Sequence, residues 1–119
     1  MPSTVLPILI TRDLERLSSF YRSLVGAVET ERVPADGPTF YVGLRIGDSD
    51  IGLVGDAEAP EGPQRMLLSI DVPAVDALLP RVDELGGHVQ GPANDMPWGQ
   101  RVAHVQDPDG NTVNLTQQL

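Results

Sequence analysis

Few residues of this chain have side chains that can act chemically on a small molecule. There are two histidines and no cysteine. His104 lies in the alternating run Gln100-Arg101-Val102-Ala103-His104-Val105-Gln106, three residues before Asp107. An imidazole titrates near neutrality, so it can contact a ligand or move a proton. No Ser, Cys or carboxylate partner for it is visible in sequence. The plainer alternative is a half-buried strand histidine bonded to a neighbour. Trp98 is the single tryptophan; it can stack on a planar ligand or mark the entry to that strand. Asp71 follows an apolar run. Turned into a pocket with apolar walls it would favour a cationic ligand, and turned outward near Asp76 it is surface charge. His88 reads as exposed and silent. Arg45, Arg65 and Arg101 read as solvent-facing or paired.

Composition removes several function classes. The charge is −9, from 8 basic and 17 acidic residues, which argues against a nucleic-acid partner. An acidic surface steers positive charge, and it also keeps a protein soluble. Without cysteine there is no disulfide framework and no thiolate metal site. No phosphate-cradling glycine loop, G-x-S-x-G or H-E-x-x-H is present. No apolar run reaches the roughly 18 residues of a membrane span, and the N-terminus shows no secretory pattern. The expectation is a cytoplasmic protein with no membrane partner.

The elements that must hold these side chains follow from periodicity. The 119 residues make one domain, 1–119, by length. Val5 to Ile10 reads as a buried strand. Asp13 can cap a helix over Leu14 to Leu24, with Leu14, Leu17, Phe20, Tyr21 and Leu24 on one stripe and Gly26 ending it. Val28–Val33, Thr39–Ile46 and Ile51–Val54 read as strands. The Pro- and Gly-rich stretch 55–64 is a linker between a module at 1–54 and one at 65–119. Met66 to Val72 is a strand. Pro73 suits the first position of a helix whose stripe is Val75, Leu78, Leu79, Val82 and Leu85. His88–Gln90 is a short strand, and a hairpin closes the chain around Asp107-Pro108-Asp109-Gly110-Asn111. The order strand, helix, three strands therefore occurs twice, and the two helices align.

Trp98-Gly99, the alternating strand, Asp107-Pro108-Asp109-Gly110-Asn111 and the closing strand resemble the signature of the vicinal-oxygen-chelate superfamily. This is the family of glyoxalase I, extradiol dioxygenases, fosfomycin-resistance enzymes and bleomycin-resistance proteins. Asp13-Leu14-Glu15-Arg16 with Phe20-Tyr21 and Leu24-Val25-Gly26 resembles its first helix. The resemblance implies an α+β fold of two βαβββ modules whose curved mixed sheets form a cup. It also implies a site in that cup and a homodimer. It places metal ligands at four strand positions, here Leu6, Leu67, Asn114 and Gly52 or a neighbour of Gly52. Leucine cannot ligate a metal, glycine offers only backbone, and asparagine is a weak neutral ligand. No metal and no cofactor is expected, and without a metal the superfamily's enzymes lose their chemistry.

The same positions fix which side chains face the cup, because they alternate along a strand. They are Leu6, Ile8 and Ile10; Leu67, Ser69 and Asp71; Trp98, Gln100, Val102 and His104; and Thr112, Asn114 and Thr116. From the third strand either Tyr41 with Gly43 and Arg45, or Phe40 with Val42 and Leu44, faces in, and the second set reads as core. The expected ligand contacts are Leu6, Ile8, Tyr41, Leu67, Ser69, Asp71, Trp98, Val102, His104 and Asn114. Three functions fit. One is a metal-independent binder of a small organic molecule, cationic if Asp71 faces it, sequestering an antibiotic or related compound with no catalysis. The second is a metal-free lyase or isomerase with His104 as acid or base. The third is an accessory module whose cup is vestigial or an interface.

Overall fold

The structure, a computed structural model describing residues 4–119, starts its first strand only after Pro7, which has no N–H to give a ladder. β1 (Ile8–Thr11) is therefore shorter than Val5–Ile10, and Leu6 lies outside it. α1 (Leu14–Val25), β2 (Val28–Val33), β3 (Tyr41–Ile46) and β4 (Ser49–Gly55) follow. The sheet order is β1-β4-β3-β2, with β1 parallel to β4 and the other pairs antiparallel. This unit runs to Glu61, and a second runs from Gly62, so the division falls inside the expected linker.

α1 forms where the sequence places its cap and stripe. The Asp13 carboxylate accepts from the Arg16 N–H at 3.0 Å, and Gly26 ends the helix at φ +71°. Leu17, Phe20, Tyr21 and Leu24 are buried, as are Leu9, Val42, Leu44 and Leu53 of the sheet. Phe20 and Tyr21 meet edge to face at 5.2 Å. Arg32 of β2 donates to Glu15 of α1 at 2.8 Å and to Glu29 at 2.7 Å. Those hydrogen bonds hold the Arg32 guanidinium well above its ordinary range, and the bond from Arg32 holds the Glu29 carboxyl below its own. Arg12 donates to the Ala59 carbonyl and, at 3.0 Å, to Glu61, which ties down the acidic loop.

The second unit repeats the order as β5 (Leu67–Asp71), α2 (Val75–Glu84), β6 (His88–Val89), β7 (Asn94–Asp95), β8 (Gln100–Gln106) and β9 (Thr112–Gln118). Its path is β5-β9-β8-β6, with β5 parallel to β9 and the short β7, absent from the sequence reading, paired to β8. Arg101 holds β7 and α2 to β8 through Asp95 at 2.8 Å and Asp76 at 3.0 Å. The α2 stripe is shallower than expected. Val75 and Val82 are buried, whereas Leu78, Leu79 and Leu85 are half-buried. α2 is shorter than α1 and faces a sheet whose β6 has two residues, so less apolar surface needs sealing. Pro73 precedes the helix instead of starting it, and the Val75 N–H is capped from across the sheet by Gln117 Oε1 at 2.9 Å. Among the described residues no helix is long and apolar enough to cross a membrane.

The closing turn is built on one buried carboxylate. Asp107 is 2% exposed. It accepts from the Asp109 N–H at 3.0 Å, the Asn111 N–H at 2.9 Å and the Asn111 side chain at 2.9 Å. Asn111 Oδ1 in turn accepts from the Gln64 N–H at 2.6 Å, so the end of the linker is fastened to the hairpin. Losing the carboxylate strands several buried donors. Asp107→Ala is therefore expected to lower unfolding free energy by roughly 2–4 kcal/mol. Urea denaturation checks this; a loss under about 0.5 kcal/mol would show that the turn does not depend on it.

Candidate functional site

In each unit the helix seals one sheet face, and alternation leaves the other open. On the first unit, Val42 and Leu44 go under the helix and Tyr41, Gly43 and Arg45 to the open face, as expected. Phe40 precedes β3 and is exposed, so it is not core. The open face carries the row Ile8–Gly52–Gly43 and, beside it, Ile10–Val54–Tyr41. Ile8 and Ile10 are exposed, as is Leu6 ahead of the strand. The Tyr41 ring lies across the glycine pair. A Cβ built on Gly52 would stand 2.8 Å from Tyr41 Oη and 2.9 Å from Cε1, and one on Gly43 3.7 Å from Oη. Glycine at position 52 is thus what gives the phenol its place, whereas a Cβ on Gly43 would meet Thr30 Oγ1 at 2.9 Å instead. Arg45 is paired across the strand with Asp50 at 3.1 Å.

The second unit's open face is polar. His104, Asn114 and Ser69 stand directly opposite one another across β8, β9 and β5. His104 Nδ1 is 2.6 Å from Asn114 Oδ1. A carboxamide oxygen only accepts, so this bond puts a proton on Nδ1, and in the neutral ring Nε2 then holds the lone pair. This is the partner that the sequence reading of His104 lacked. It was legible: a hairpin centred on Asp109 sets residues 104 and 114 opposite each other. His104 Nε2, Asn114 Nδ2 and Ser69 Oγ have no hydrogen-bond partner among the described residues.

The neighbouring row is Val102–Thr116–Asp71, and beyond His104 lies Gln106–Thr112–Leu67. Val102 and Thr116 are buried, while Asp71 and Leu67 are exposed. Asp71 Oδ1 accepts from Thr116 Oγ1 at 2.9 Å and Gln118 Nε2 at 3.4 Å. An open depression of about 340 Å³ lies against Asp71, Val72, Pro73, Gln117 and Gln118. Gln118 was not singled out from sequence; its parity with Thr116 on β9 is the signal that would have found it.

Trp98 is not on the strand. Gly99 at φ +90° bends the backbone, and the Met96 N–H closes the turn onto the Gln100 carbonyl at 2.7 Å. Trp98 sits in that turn, 67% exposed, its indole N–H donating to Gln100 Oε1 at 2.8 Å. His88 and Arg65 are exposed.

The positions at which the resemblance places a metal carry Leu6, Gly52, Leu67 and Asn114. Three have no donor side chain, and the oxygen of the fourth is engaged by His104. Among the described residues no group of three or more His, Cys, Asp or Glu is arranged to hold a metal ion. This donor set does not fit a divalent cation.

Residues 4–115 match the family model of the Glyoxalase/Bleomycin resistance protein/Dioxygenase superfamily. The uncharacterized protein Mb0911c of Mycobacterium bovis is 30% identical over 122 residues, covering 93% of this chain and 80% of that protein. A hypothetical protein from S. aureus has a solved structure similar at TM-score 0.79 and 26% identity, covering 98% of this chain and 95% of that one. The genomically encoded fosfomycin resistance protein FosX of Listeria monocytogenes shares the fold at TM-score 0.76, with 17% identity, covering 100% of this chain and 95% of that one.

The seat of Tyr41 yields a direct test. A methyl group on Gly52 meets the phenol at contact distances real structures avoid. Gly52→Ala is expected to cost about 1–3 kcal/mol in urea unfolding. Tyr41→Ala in the same chain should relieve part of it, with a coupling above about 0.5 kcal/mol. Additive costs would show that the ring and the glycine are independent.

Proposed function

The chain belongs to the glyoxalase/bleomycin resistance protein/dioxygenase superfamily, and from that premise we propose that it binds a small organic molecule without a metal, on the open face of its second sheet. The observation that carries this reading is the His104–Asn114 pair. Asn114 stands at a position the resemblance gives to a metal ligand, and its oxygen is turned to a histidine instead. The row it leaves open can hydrogen-bond an organic molecule, with apolar contact from Leu67 and Val102 beside it. Asp71, on the same face of a chain of charge −9, supports a cationic group on the ligand. Trp98 lies beside Gln100 at the start of the strand that carries His104. Of the other expected contacts, Ile8 and Tyr41 lie on the first unit's own open face and Leu6 lies ahead of its first strand. An antibiotic or related compound, sequestered and not turned over, is the ligand class we put forward, in a cytoplasmic homodimer. The superfamily's resistance proteins support that choice.

One observation favours a second reading. With its proton on Nδ1, His104 presents Nε2 as a base. A metal-free lyase or isomerase acting on a small carbonyl compound would use it. Turnover by such an enzyme is expected to fall about 100-fold or more in His104→Ala.

The test is titration of Trp98 fluorescence with bleomycin-type and planar cationic compounds, with Zn²⁺, with Mn²⁺ and with chelator. Saturable quenching that ignores metal and chelator, and weakens about tenfold or more in His104→Ala, is expected. A response that requires metal would overturn the metal-independent reading.

A further inference from the structure

We infer that the depression beside Asp71 takes a primary ammonium group of the ligand, and that Gln118 is the residue that sets this group apart from other organic cations. The inference rests on the ligand-binding reading above; it names the cation recognised and the point where it binds.

Asp71 is a carboxylate without a cation of its own. Arg12, Arg32, Arg45 and Arg101 are paired with other acids, and no ion pair to Asp71 forms among the described residues. The chain has no lysine, so it holds no side-chain ammonium that could serve. What meets the carboxylate is neutral. Oδ1 accepts from Thr116 Oγ1 at 2.9 Å and from Gln118 Nε2 at 3.4 Å, both on β9. Oδ2 has no hydrogen-bond partner among the described residues. An ionised carboxylate offers about four acceptor sites, two on each oxygen. Those of Oδ1 are filled and those of Oδ2 are open.

Asp71 lines the open depression of about 340 Å³ together with Val72, Pro73, Gln117 and Gln118. That volume suits a small organic group. Val72 and Pro73 offer apolar contact to the methylenes next to a charged nitrogen. Gln117 does not compete for the charge, because its Oε1 is engaged by the Val75 N–H at 2.9 Å. No aromatic ring lines the depression.

These features tell organic cations apart. A primary ammonium is a compact charge with N–H donors, and Oδ2 alone can receive it. A guanidinium binds a carboxylate best as a fork, with one N–H to each oxygen. Here the fork finds Oδ1 filled and must displace Gln118. A quaternary ammonium has no N–H to give, and the aromatic faces that hold such groups are missing from this depression. The Gln118 bond is the longer of the two on Oδ1, and Gln118 is exposed, so displacing it is a cost and not a bar. Gln118 is thus a specificity-determining residue: it occupies the acceptor site that the fork would use.

The experiment uses the full chain labelled with ¹⁵N, at pH 7, where all three probes are charged. Butylammonium, butylguanidinium and butyltrimethylammonium, which share one alkyl chain, are titrated as chlorides. Butylammonium is expected to move the backbone amides of Asp71, Val72 and Gln118 saturably, about fivefold or more tightly than either of the others. Asp71→Asn keeps an acceptor for Thr116 and removes the charge, and should weaken butylammonium about tenfold. Gln118→Ala should leave butylammonium little changed and tighten butylguanidinium until the preference is lost. Butylguanidinium bound by the wild type as tightly as butylammonium overturns the inference. So does an unchanged preference in Gln118→Ala, unchanged butylammonium binding in Asp71→Asn, or no shift with butylammonium at all. Saturable, metal-independent quenching of Trp98 by the antibiotic panel, with no preference among the three cations, overturns this inference alone. No quenching by any compound of the panel overturns the reading it rests on.

Discussion

A sheet covered by a helix on one side only divides its residues by parity, and everything else in this protein depends on that division. Leu9, Val42, Leu44 and Leu53 in one unit, and Ala103, Val105, Val113 and Leu115 in the other, are fully buried. Burying the leucines and valines among them is worth about 1.5–3 kcal/mol each, so no strand can slip by one residue without exposing its whole apolar set. That rigidity of register is what allows the other parity to hold side chains that contribute little to stability. His104, Ser69 and Asp71 are exposed, and the strands that carry them are held from the opposite face.

The two units use this freedom differently at corresponding places. In the hairpin of β3 and β4 the facing pair is Gly43 and Gly52; in the hairpin of β8 and β9 it is His104 and Asn114. Each pair's β4 or β9 member also faces a residue of the parallel strand, Ile8 in one case and Ser69 in the other. The first pair has no side chains, and the Tyr41 ring lies against Gly52. The second carries polar ones, joined to each other. The glycine pair offers no donor side chain to a metal. At these places the second unit therefore carries hydrogen-bonding side chains, while the first unit's open face presents aliphatic side chains, a phenol and the Arg45–Asp50 pair.

Much of this was legible in the sequence because it is local. The Asp13 cap, the α1 stripe, the stop at Gly26 and the turn at Asp107–Asn111 each depend on a few consecutive residues, and each stands where its residue types place it. The parity of β3 was left open between two sets in the sequence, and the burial of Val42 and Leu44 decides it. What escaped was set by partners distant in sequence. The start of β1 depends on Pro7, which β4 meets through its carbonyl alone, Gly52 donating to it at 2.8 Å. β7 is two residues long and exists because β8 offers it a ladder. Trp98 was placed by strand alternation, but the positive φ of Gly99 breaks that alternation one residue later. The depth of α2 depends on how much sheet it covers, which no stripe of leucines states.

Charge completes the account of the open face. Arg12, Arg32, Arg45 and Arg101 are each paired with a carboxylate of their own unit. These pairs lie at exposed surfaces and contribute little individually. Their effect is to remove half of the chain's eight cations from general use, so the excess of acid is felt as a diffuse negative field. On the second sheet's open face the one carboxylate among the ligand positions is Asp71, and it keeps acceptor capacity beyond its bonds to Thr116 and Gln118. His104 and Asn114 in the neighbouring row are a hydrogen-bonded, dipolar pair. A diffuse field can draw in a cation but cannot orient it. Orientation has to come from groups with fixed direction, and the imidazole locked by the carboxamide is the part of this face that has one.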